Sequence, residues 1–250
     1  LHLSLRRQRQ MCIRDSRLSM KIKNNNNSVL ITGGTQGLGF EIANKLIENG
    51  CNEIIIAGRN KKKGTQAEQK LLRKNVKVKY IKTDLENVKE CSKLIEESIK
   101  YFPNLNSLVN SAAVTTRGSI DNTSIQLWEQ HMNINLRAPF ILMQGLIKKL
   151  KKNKEPGSIV NIASTEALGA TRYGSPYTAA KTGVTGLTRS LAVELGPENI
   201  TVNCICPGPI RTGMTDAIPE SDKETFARRR TALRRYAAVS YTHLTLPTKA

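Results

Sequence analysis

The stretch SVLITGGTQGLGFEIANKLIENG, residues 28–50, decides the fold class of this chain. It starts as a short β-branched run, passes through the glycine-rich turn TGGTQGLG, and continues as an amphipathic helix pattern that ends at Gly50. Glycines at positions 33, 37 and 39 permit a tight turn whose backbone can approach a pyrophosphate at the helix N-terminus. Their spacing, G-x3-G-x-G, is a variant of the dinucleotide-binding fingerprint.

The rest of the chain repeats this order of strand and helix. Further strand-like runs occur at EIIIAG, VKVKYIKTD, LNSLVNSAA, SIVNIAS and TVNCICPG, and a helix pattern follows each of the first four. The longest helix pattern, SIQLWEQHMNINLRAPFILMQGLIKKLKK, is expected to bend at Pro139. Regular alternation with right-handed crossovers predicts an α/β fold. We expect a Rossmann-type, doubly wound parallel sheet in a three-layer α/β/α arrangement, built as a single domain.

The composition indicates a basic protein without a membrane-spanning segment. No apolar run approaches the ~20 residues that a membrane helix needs. The formal net charge is +19, yet the lysines lie in local runs such as Lys61 to Lys63. No aromatic platform or groove-reading motif accompanies these runs, as nucleic-acid binding would require. We therefore expect a solvated basic surface, with no nucleic acid and no membrane as partner.

The five cysteines are Cys12, Cys51, Cys91, Cys204 and Cys206, and they show neither C-x-x-C nor other metal-ligand spacing. Their odd number indicates reduced thiols and a cytoplasmic location. Cys204 and Cys206 alternate within the strand-like run TVNCICP, where burial as small hydrophobic side chains is expected. The sequence predicts no metal site.

The two ends of the chain differ in character from the middle. Residues 1–19 are rich in arginine and nearly free of acidic residues, which superficially matches an organelle transit peptide. Residues 238–250 continue no periodicity of the preceding helix pattern. Both strings are similar to read-through of sequencing adapters. We therefore interpret them as non-native or disordered flanks of a domain at residues 20–237 that starts at Met20.

The segment SPYTAAK places Tyr177 and Lys181 four residues apart, and Ser164 lies thirteen residues before the tyrosine. On a helix, an i,i+4 pair shares one face. The pKa of a free phenol is ~10. Lowering this pKa by about three units takes roughly 4 kcal/mol of stabilisation of the phenolate. A cation about 4 Å away, at an effective dielectric of ~20, supplies about that much. Tyrosine as acid/base, lysine as its electrostatic support and serine as a hydrogen-bond donor form a carbonyl-reducing site. Alternatively, Pro176 begins a helix here and the tyrosine serves packing.

Several separated motifs carry a family resemblance: TGGTQGLG, the asparagine of INL, the serine, tyrosine and lysine set, and PGPIRT. In order and spacing they resemble the short-chain dehydrogenases/reductases over residues 28–237. The resemblance implies that Tyr177 donates a proton to a carbonyl oxygen as hydride arrives, and that Ser164 holds this oxygen. It implies that Lys181 lowers the pKa of the tyrosine and binds the nicotinamide ribose. Asn135 is then a fourth catalytic member, which supports a water-mediated proton relay to Lys181.

The same resemblance implies a nicotinamide coenzyme. Asp84 and Leu85 correspond to the adenine contact, and the segment from Pro207 to Thr212 corresponds to the part that packs against the nicotinamide. The implied coenzyme contacts are Gly33, Thr35, Gln36, Gly37, Leu38, Gly39, Arg59, Asp84, Leu85, Asn110, Ala112, Tyr177, Lys181, Pro207, Gly208, Ile210 and Thr212.

Coenzyme preference is set at the end of the second predicted strand. An acidic residue there would accept hydrogen bonds from both adenosine ribose hydroxyls and repel a 2′-phosphate. This sequence reads Ala57-Gly58-Arg59-Asn60, followed by three lysines. Because the acid is absent and a guanidinium is present, we expect NADP(H) to be preferred, with NAD(H) as the alternative. Gln36 is neutral, where some NADP-preferring relatives carry a second basic residue.

Two features depart from the family pattern. Asn110-Ser111-Ala112-Ala113 replaces the family's Asn-Asn-Ala-Gly, and the added methyl of Ala113 puts the local backbone geometry near the coenzyme in question. Beyond ALRRYA, the family's seventh strand is missing. Because that strand lies at the sheet edge and supports subunit pairing, we expect an unpaired edge here. A homodimer or homotetramer is expected for a full-length protein.

The sequence and the resemblance together indicate an NADPH-dependent carbonyl reductase. A 3-oxoacyl thioester is the first expected substrate, and a sugar, sugar acid or polyol is the alternative. Candidate polar contacts, each equally interpretable as a solvated loop charge, are Glu166, Arg172, Arg117 and Arg211. Two hypotheses from other classes stay open: a coenzyme-binding protein without turnover, and a nucleic-acid-binding protein whose affinity would depend steeply on salt.

Overall fold

The computed structural model describes residues 28–216 and 218–239 of the chain. The expected first flank, the expected start at Met20 and residues 240–250 of the expected second flank lie outside the described residues.

One parallel sheet of six strands forms the centre of the described residues. Its strands are β1 (Ser28–Thr32), β2 (Glu53–Gly58), β3 (Lys77–Lys82), β4 (Leu105–Asn110), β5 (Gly157–Ile162) and β6 (Ile200–Ile205). They lie in the order β3-β2-β1-β4-β5-β6, and every neighbouring pair is parallel. From β1 the chain adds β2 and β3 on one side, and it then adds β4, β5 and β6 on the other side, as in a doubly wound sheet.

Helices connect these strands. In the described ranges the α-helices are α1 (Gly37–Glu48), α2 (Lys61–Leu71), α3 (Val88–Tyr101), α4 (Ile125–Met132), α5 (Ala138–Asn153), α6 (Ser175–Leu195) and α7 (Glu220–Arg230), with short 3-10 turns at Ile120–Asn122, Thr165–Ala167 and Gly196–Glu198. Asn60 caps α2 by accepting a hydrogen bond from the amide of Lys63, and Ser124 caps α4 in the same way from Leu127. No helix within these ranges has both the length and the apolarity needed to cross a bilayer.

Alternate side chains of the strands pack on opposite faces of the sheet, because strand side chains have a period of two. On one face, Leu30 and Ile55 join a buried cluster with residues of α3, α5 and α6. On the other face, Ile31 and Ile56 join a second cluster with residues of α1 and α2. Helices therefore cover both faces, which confirms the predicted three-layer α/β/α Rossmann-type fold.

The predicted long helix is interrupted, although not as expected. α4 ends at Met132, one π-helical turn covers Asn133–Arg137, and α5 begins at Ala138. Pro139, where the bend was expected, lies in the first turn of α5, directly after the π-turn. A π-turn at this place fits the sequence, since proline has no N–H to donate to the carbonyl of Asn135 four residues earlier.

β6 is an outermost strand of the sheet. The family's seventh strand, which we expected to be missing here, would lie at this edge. Among the described residues, no further strand pairs with β6. A short parallel bridge joins Ile210 to Ala237 instead. In it, the Ala237 amide donates to the Pro209 carbonyl at 3.0 Å, and the Arg211 amide donates to the Ala237 carbonyl at 2.9 Å. These bonds hold the last described residues beside the segment that follows β6.

Candidate active site

The glycine turn lies where β1 and β4 send their connections to opposite sides, the place where doubly wound sheets bind ligands. Gly33 directly follows β1 with φ of +68°, and its amide donates to the Ala57 carbonyl at 2.9 Å. A Cβ on Gly33 would lie 2.8 Å from the Cα of Ala112, so no larger residue fits. The structure therefore brings Gly33 and Ala112, both predicted coenzyme contacts, into direct contact.

The other two glycines complete the turn. A Cβ on Gly39 would lie 2.4 Å from the carbonyl oxygen of Gly33, which excludes a side chain there. Gly37 has φ of +56° and faces Thr212, whose Cβ would be 3.7 Å from an added methyl. Leu38 turns the other way and packs on the cluster between the sheet and α1. The turn thus offers bare backbone at the N-terminus of α1, which fits the phosphates of a dinucleotide.

The loop after β4 is held against the end of β1. The Thr32 hydroxyl accepts hydrogen bonds from the amides of Ser111 (3.2 Å) and Ala112 (3.3 Å). Sequence reasoning missed this role of Thr32, because nothing in the local pattern pairs residues about eighty positions apart. Ala113 does not have positive φ, so the alanine that departs from the family pattern is accommodated without backbone strain.

Asn110 belongs to a buried polar network behind the turn. Its Nδ2 donates to Oδ1 of Asn161 at 2.8 Å, and Asn161 donates in turn to the Thr188 hydroxyl at 3.0 Å. Oδ1 of Asn110 is buried and has no hydrogen-bond partner among the described residues. An unsatisfied buried acceptor is unfavourable, and at this position it can accept a bond from a ligand in the adjoining site.

The expected determinant of coenzyme preference lies beside the glycine turn. Thr35 packs over Gly58, where a Cβ would lie 3.0 Å from its methyl group. Nζ of Lys63 donates to Oε1 of Gln36 at 2.8 Å, and Arg59 is exposed next to this pair. The corner between β1 and β2 therefore carries two cationic side chains, Arg59 and Lys63.

The predicted adenine contact is only partly available. Oδ1 of Asp84 accepts from the amide of Glu86 at 3.1 Å, and the Asp84 amide donates to Glu90 at 2.7 Å. The Leu85 side chain packs in the cluster with α3 and is 7% exposed. Leu85 can therefore reach a coenzyme only through its main chain, a restriction that the sequence did not reveal.

Three of the four predicted catalytic residues meet at the carboxyl end of β5. Ser164 follows β5 by two residues, and its hydroxyl lies close enough to Tyr177 of α6 to affect the pKa of the phenol. Lys181 lies one turn further along α6, with Nζ 5.7 Å from the centroid of the Tyr177 ring. That Nζ donates to the Ile162 carbonyl at 2.7 Å, and the side chain is 3% exposed.

Burial dominates the pKa values of this pair. It raises the pKa of the Tyr177 phenol, although the nearby Ser164 hydroxyl acts in the opposite direction. It also lowers the pKa of Lys181 from 10.5 to about 8, against the effect of the nearby Cys204 and Cys206. The expectation that Lys181 lowers the pKa of Tyr177 is therefore not met. Both groups lose hydration in this site, and desolvation disfavours the charged form of each.

Asn135 lies in the π-turn, where its side chain is buried. Its Oδ1 accepts from the Val114 amide and its Nδ2 donates to the Val114 carbonyl, each at 2.9 Å. The side-chain amide is thus used to hold the loop that leaves β4. The side chain is therefore not available for the proton relay that the resemblance implied, and only the main chain of Asn135 could take part in it.

The segment after β6 joins the two halves of the site. The Pro207 carbonyl accepts from the amide of Thr165, next to Ser164, while Thr212 faces the glycine turn at Gly37. Gly208 is exposed between them, and Ile210 forms the bridge to Ala237. The predicted coenzyme residues after β6 therefore span the distance from the catalytic serine to the phosphate turn.

The polar side chains suggested for substrate contact all interact with other side chains of the protein. Arg117 lies 3.7 Å from Glu166, and Arg211 forms a bidentate pair with Glu220. The Arg172 guanidinium lies 4.9 Å from the Tyr173 ring centroid. Within residues 28–216 and 218–239, no three acidic, histidine or cysteine side chains are grouped as metal ligands.

Comparison with known proteins agrees with this geometry. The family model described as short chain dehydrogenase matches residues 27–223. The (2S)-((R)-hydroxy(phenyl)methyl)succinyl-CoA dehydrogenase subunit BbsD of Thauera aromatica is 34% identical over 199 residues, 80% of this chain and 79% of that protein. The 3-oxoacyl-acyl-carrier-protein reductase FabG of Buchnera aphidicola is 36% identical over 191 residues, 76% of each chain.

A solved structure shows the same architecture. A variant of actinorhodin polyketide ketoreductase, crystallised with NADPH, superposes with a TM-score of 0.79 at 28% identity over 87% of each chain. Fold, glycine turn and sequence likeness lead to one conclusion: this chain is an oxidoreductase of the short chain dehydrogenase family, whose members bind NAD(P).

Proposed function

We propose that this protein is an NADP(H)-dependent oxidoreductase that interconverts a carbonyl and a secondary alcohol, with Tyr177 as the acid/base. The observation that carries the proposal is the arrangement of Ser164, Tyr177 and Lys181 at the end of β5. The serine hydroxyl lies near the tyrosine phenol, and a buried ammonium lies beside the phenol ring. A carbonyl oxygen placed against the two hydroxyls would receive two donors.

The pKa directions suit reduction. A raised pKa keeps the Tyr177 phenol protonated at neutral pH, which is the form that donates a proton to the carbonyl oxygen. Lys181, with a pKa of about 8, is mainly an ammonium at pH 7 and lies beside the phenol ring. Ser164 fixes the oxygen during the transfer. When bound, the reduced coenzyme supplies the hydride.

Preference for NADP(H) follows from the corner between β1 and β2. No acidic residue stands at the end of β2, while Arg59 and Lys63 lie beside the glycine turn. Guanidinium and ammonium groups attract a 2′-phosphate, and an acidic side chain would repel it. The actinorhodin ketoreductase structure, which contains NADPH, supports this preference by likeness.

A 3-oxoacyl thioester is the substrate that we propose. One similar protein is named a 3-oxoacyl-acyl-carrier-protein reductase, and another is named a dehydrogenase of a succinyl-CoA derivative. A cavity of about 560 Å³ lies between the loop at Gly118 and the loop at Tyr173, and Ser175, Thr178 and Ala179 of α6 form part of its wall. A hydrogen bond of 3.0 Å from the Gly118 amide to the Tyr173 carbonyl joins the two loops. An acyl chain in this cavity would lie against the helix that carries Tyr177.

Tyr177→Phe tests the proposed chemistry. The substitution should lower kcat for NADPH-dependent reduction of a 3-oxoacyl thioester by about 10²- to 10⁴-fold, because it removes the proton donor. Coenzyme affinity, measured by quenching of protein fluorescence, should change by less than about twofold, since the ring is retained. Tyr101→Phe removes a hydroxyl from an exposed tyrosine of α3 and serves as the matched control.

Full activity of Tyr177→Phe would refute the acid/base role. If the unaltered protein binds NADPH but reduces no carbonyl compound, the hypothesis of a coenzyme-binding protein without turnover replaces ours.

A further inference from the structure

A basic cleft lies between α7 and the residues that follow it. Its volume is about 330 Å³. Five cationic and two anionic side chains line it, so its formal charge is +3; they are Arg211, Lys223, Arg228, Arg234, Arg235, Glu220 and Glu224. A concave surface with this excess of positive charge concentrates anions.

The charges within the cleft are unbalanced. The Glu220 carboxylate accepts hydrogen bonds from two guanidinium nitrogens of Arg211, and the same carboxylate lies 3.6 Å from Nζ of Lys223. Lys223 is only 8% exposed, and the carboxylate that pairs with its ammonium among the described residues also pairs with Arg211. A buried charge is unfavourable unless it is fully paired. An additional anion would relieve this shortage.

Two further arginines at the cleft are free to bind such an anion. In the part of the chain that the structure describes, neither Arg228 nor Arg234 forms an ion pair with a carboxylate. Arg234 has φ of +50°, a conformation that residues with side chains rarely adopt, and its amide donates to the Thr231 carbonyl at 3.1 Å. The turn after α7 thereby places Arg234 at the cleft.

The cleft is linked to the candidate active site by electrostatics and by two contacts. Tyr236 forms part of the cleft wall, and the charge of Arg117 acts on its phenol. Arg117 is 3.7 Å from Glu166, whose amide donates to the hydroxyl of Ser164 at 3.2 Å. The cleft therefore lies on the side of the molecule from which Arg117 and Glu166 lead to the serine that would hold the reacting carbonyl. The bridge between Ile210 and the residue after Tyr236 fixes the cleft beside the segment that follows β6.

We propose that this cleft binds the phosphate of a pantetheine-linked acyl thioester and so holds the carrier end of the substrate while its carbonyl lies at Tyr177. Guanidinium groups bind phosphate oxygens in a bidentate manner, which suits a cleft with several arginines. The pantetheine arm separates phosphate from thioester, so a phosphate site apart from the catalytic hydroxyls is what such a substrate requires. This inference rests on the proposed reduction of a 3-oxoacyl thioester.

The test compares one acyl group on three carriers. The substrates are 3-oxobutanoyl-CoA, the same acyl group on an acyl carrier protein, and its N-acetylcysteamine thioester, which has no phosphate. The double variant Arg228→Gln with Arg234→Gln removes two charges from the cleft. Lys148→Gln with Lys152→Gln removes two charges from exposed positions on α5 and is the matched control.

We expect kcat/KM for the CoA thioester, divided by that for the N-acetylcysteamine thioester, to fall about tenfold in the arginine variant, equivalent to about 1.4 kcal/mol. The lysine variant should leave this ratio unchanged. An equal loss with the carrier-protein substrate identifies the phosphate of phosphopantetheine as the bound group. A loss confined to CoA identifies the nucleotide phosphates. An unchanged ratio for both phosphorylated substrates overturns the proposal.

Calorimetric titration of free coenzyme A into the NADPH-loaded protein separates this inference from the proposed function. If no thioester is reduced, yet coenzyme A binds and the arginine variant weakens its Kd by about tenfold, the cleft assignment stands and the reductase assignment fails. If thioesters are reduced but the arginine variant leaves the Kd of coenzyme A unchanged, the reductase assignment stands and the cleft assignment fails.

Discussion

Replacing Lys181 with methionine tests how strongly burial destabilises the ammonium group of the catalytic site. Burial lowers the pKa of Lys181 from 10.5 to about 8. Converted at RT ln 10 for each pKa unit, the buried charge destabilises the folded protein by about 3 kcal/mol at pH 7. Methionine has a similar length and no charge, so it removes this cost. It also deprives the Ile162 carbonyl of a hydrogen bond, a loss of about 1 kcal/mol.

The sign of the pH dependence follows from the direction of the shift. Because the pKa is lower in the folded than in the unfolded protein, the unfolded protein binds more protons between about pH 8 and pH 10.5. The cost of the buried ammonium is therefore fully present below about pH 8 and disappears as the pH rises towards 10.5. Lys181→Met should stabilise the protein by about 2 kcal/mol at pH 7 and by about 0 kcal/mol at pH 10.

Urea unfolding of the coenzyme-free protein, followed by circular dichroism at pH 7, 8.5 and 10, measures this difference. Lys152→Met, at an exposed lysine of α5, controls for the loss of a lysine elsewhere. Because Cys204 and Cys206 lie near the ammonium, both proteins should also be compared in a background with serine at these positions. A free-energy difference that does not decline between pH 7 and pH 10 would refute the reasoning.

Three further substitutions test other parts of the site. Arg59→Asp should raise the KM for NADP(H) relative to NAD(H) by about tenfold, equivalent to about 1.4 kcal/mol, since a carboxylate repels the 2′-phosphate. Gly33→Ala should lower the free energy of unfolding by about 2–5 kcal/mol and weaken coenzyme binding, because φ is +68° and the methyl would lie 2.8 Å from the Ala112 backbone. Asn135→Ala should lower the free energy of unfolding by about 2–4 kcal/mol, because two polar groups of Val114 lose their partner.

Each substitution has a matched control. Lys70→Asp makes the same change of charge at the far end of α2, and an equal shift of the KM ratio there would discredit the role of Arg59. Gly50 has φ of +95° with no atom within 4 Å of an added Cβ, so Gly50→Ala isolates the conformational cost. Equal effects at Gly33 and Gly50 would show that the contact with Ala112 is unimportant. Asn44→Ala removes a surface amide whose hydrogen bond to Glu48 is 3.4 Å long. The loss of unfolding free energy must be larger for Asn135→Ala than for Asn44→Ala.

Local patterns were sufficient to predict the elements of the fold and to suggest residues for the site. The βα alternation, the glycine turn and the spacing of Tyr177 and Lys181 depend on neighbours in sequence, so periodicity and residue type reveal them. The predicted three layers were confirmed for this reason. The π-turn before α5 was not predicted, because it depends on how Asn135 packs against Val114, a residue of another part of the chain.

By itself, the sequence determined the fold class and, through the family resemblance, suggested the phosphate-binding turn and the side chains that would carry the chemistry. Only the tertiary structure decided their electrostatics. Burial raises the pKa of Tyr177, against the expectation from its neighbour in sequence, since hydration depends on every element that covers the group. Lys181 bonds to the Ile162 carbonyl of another element, and Lys223 shares a carboxylate with Arg211. Such effects depend on distance and solvent exposure, which arise only when distant segments pack together.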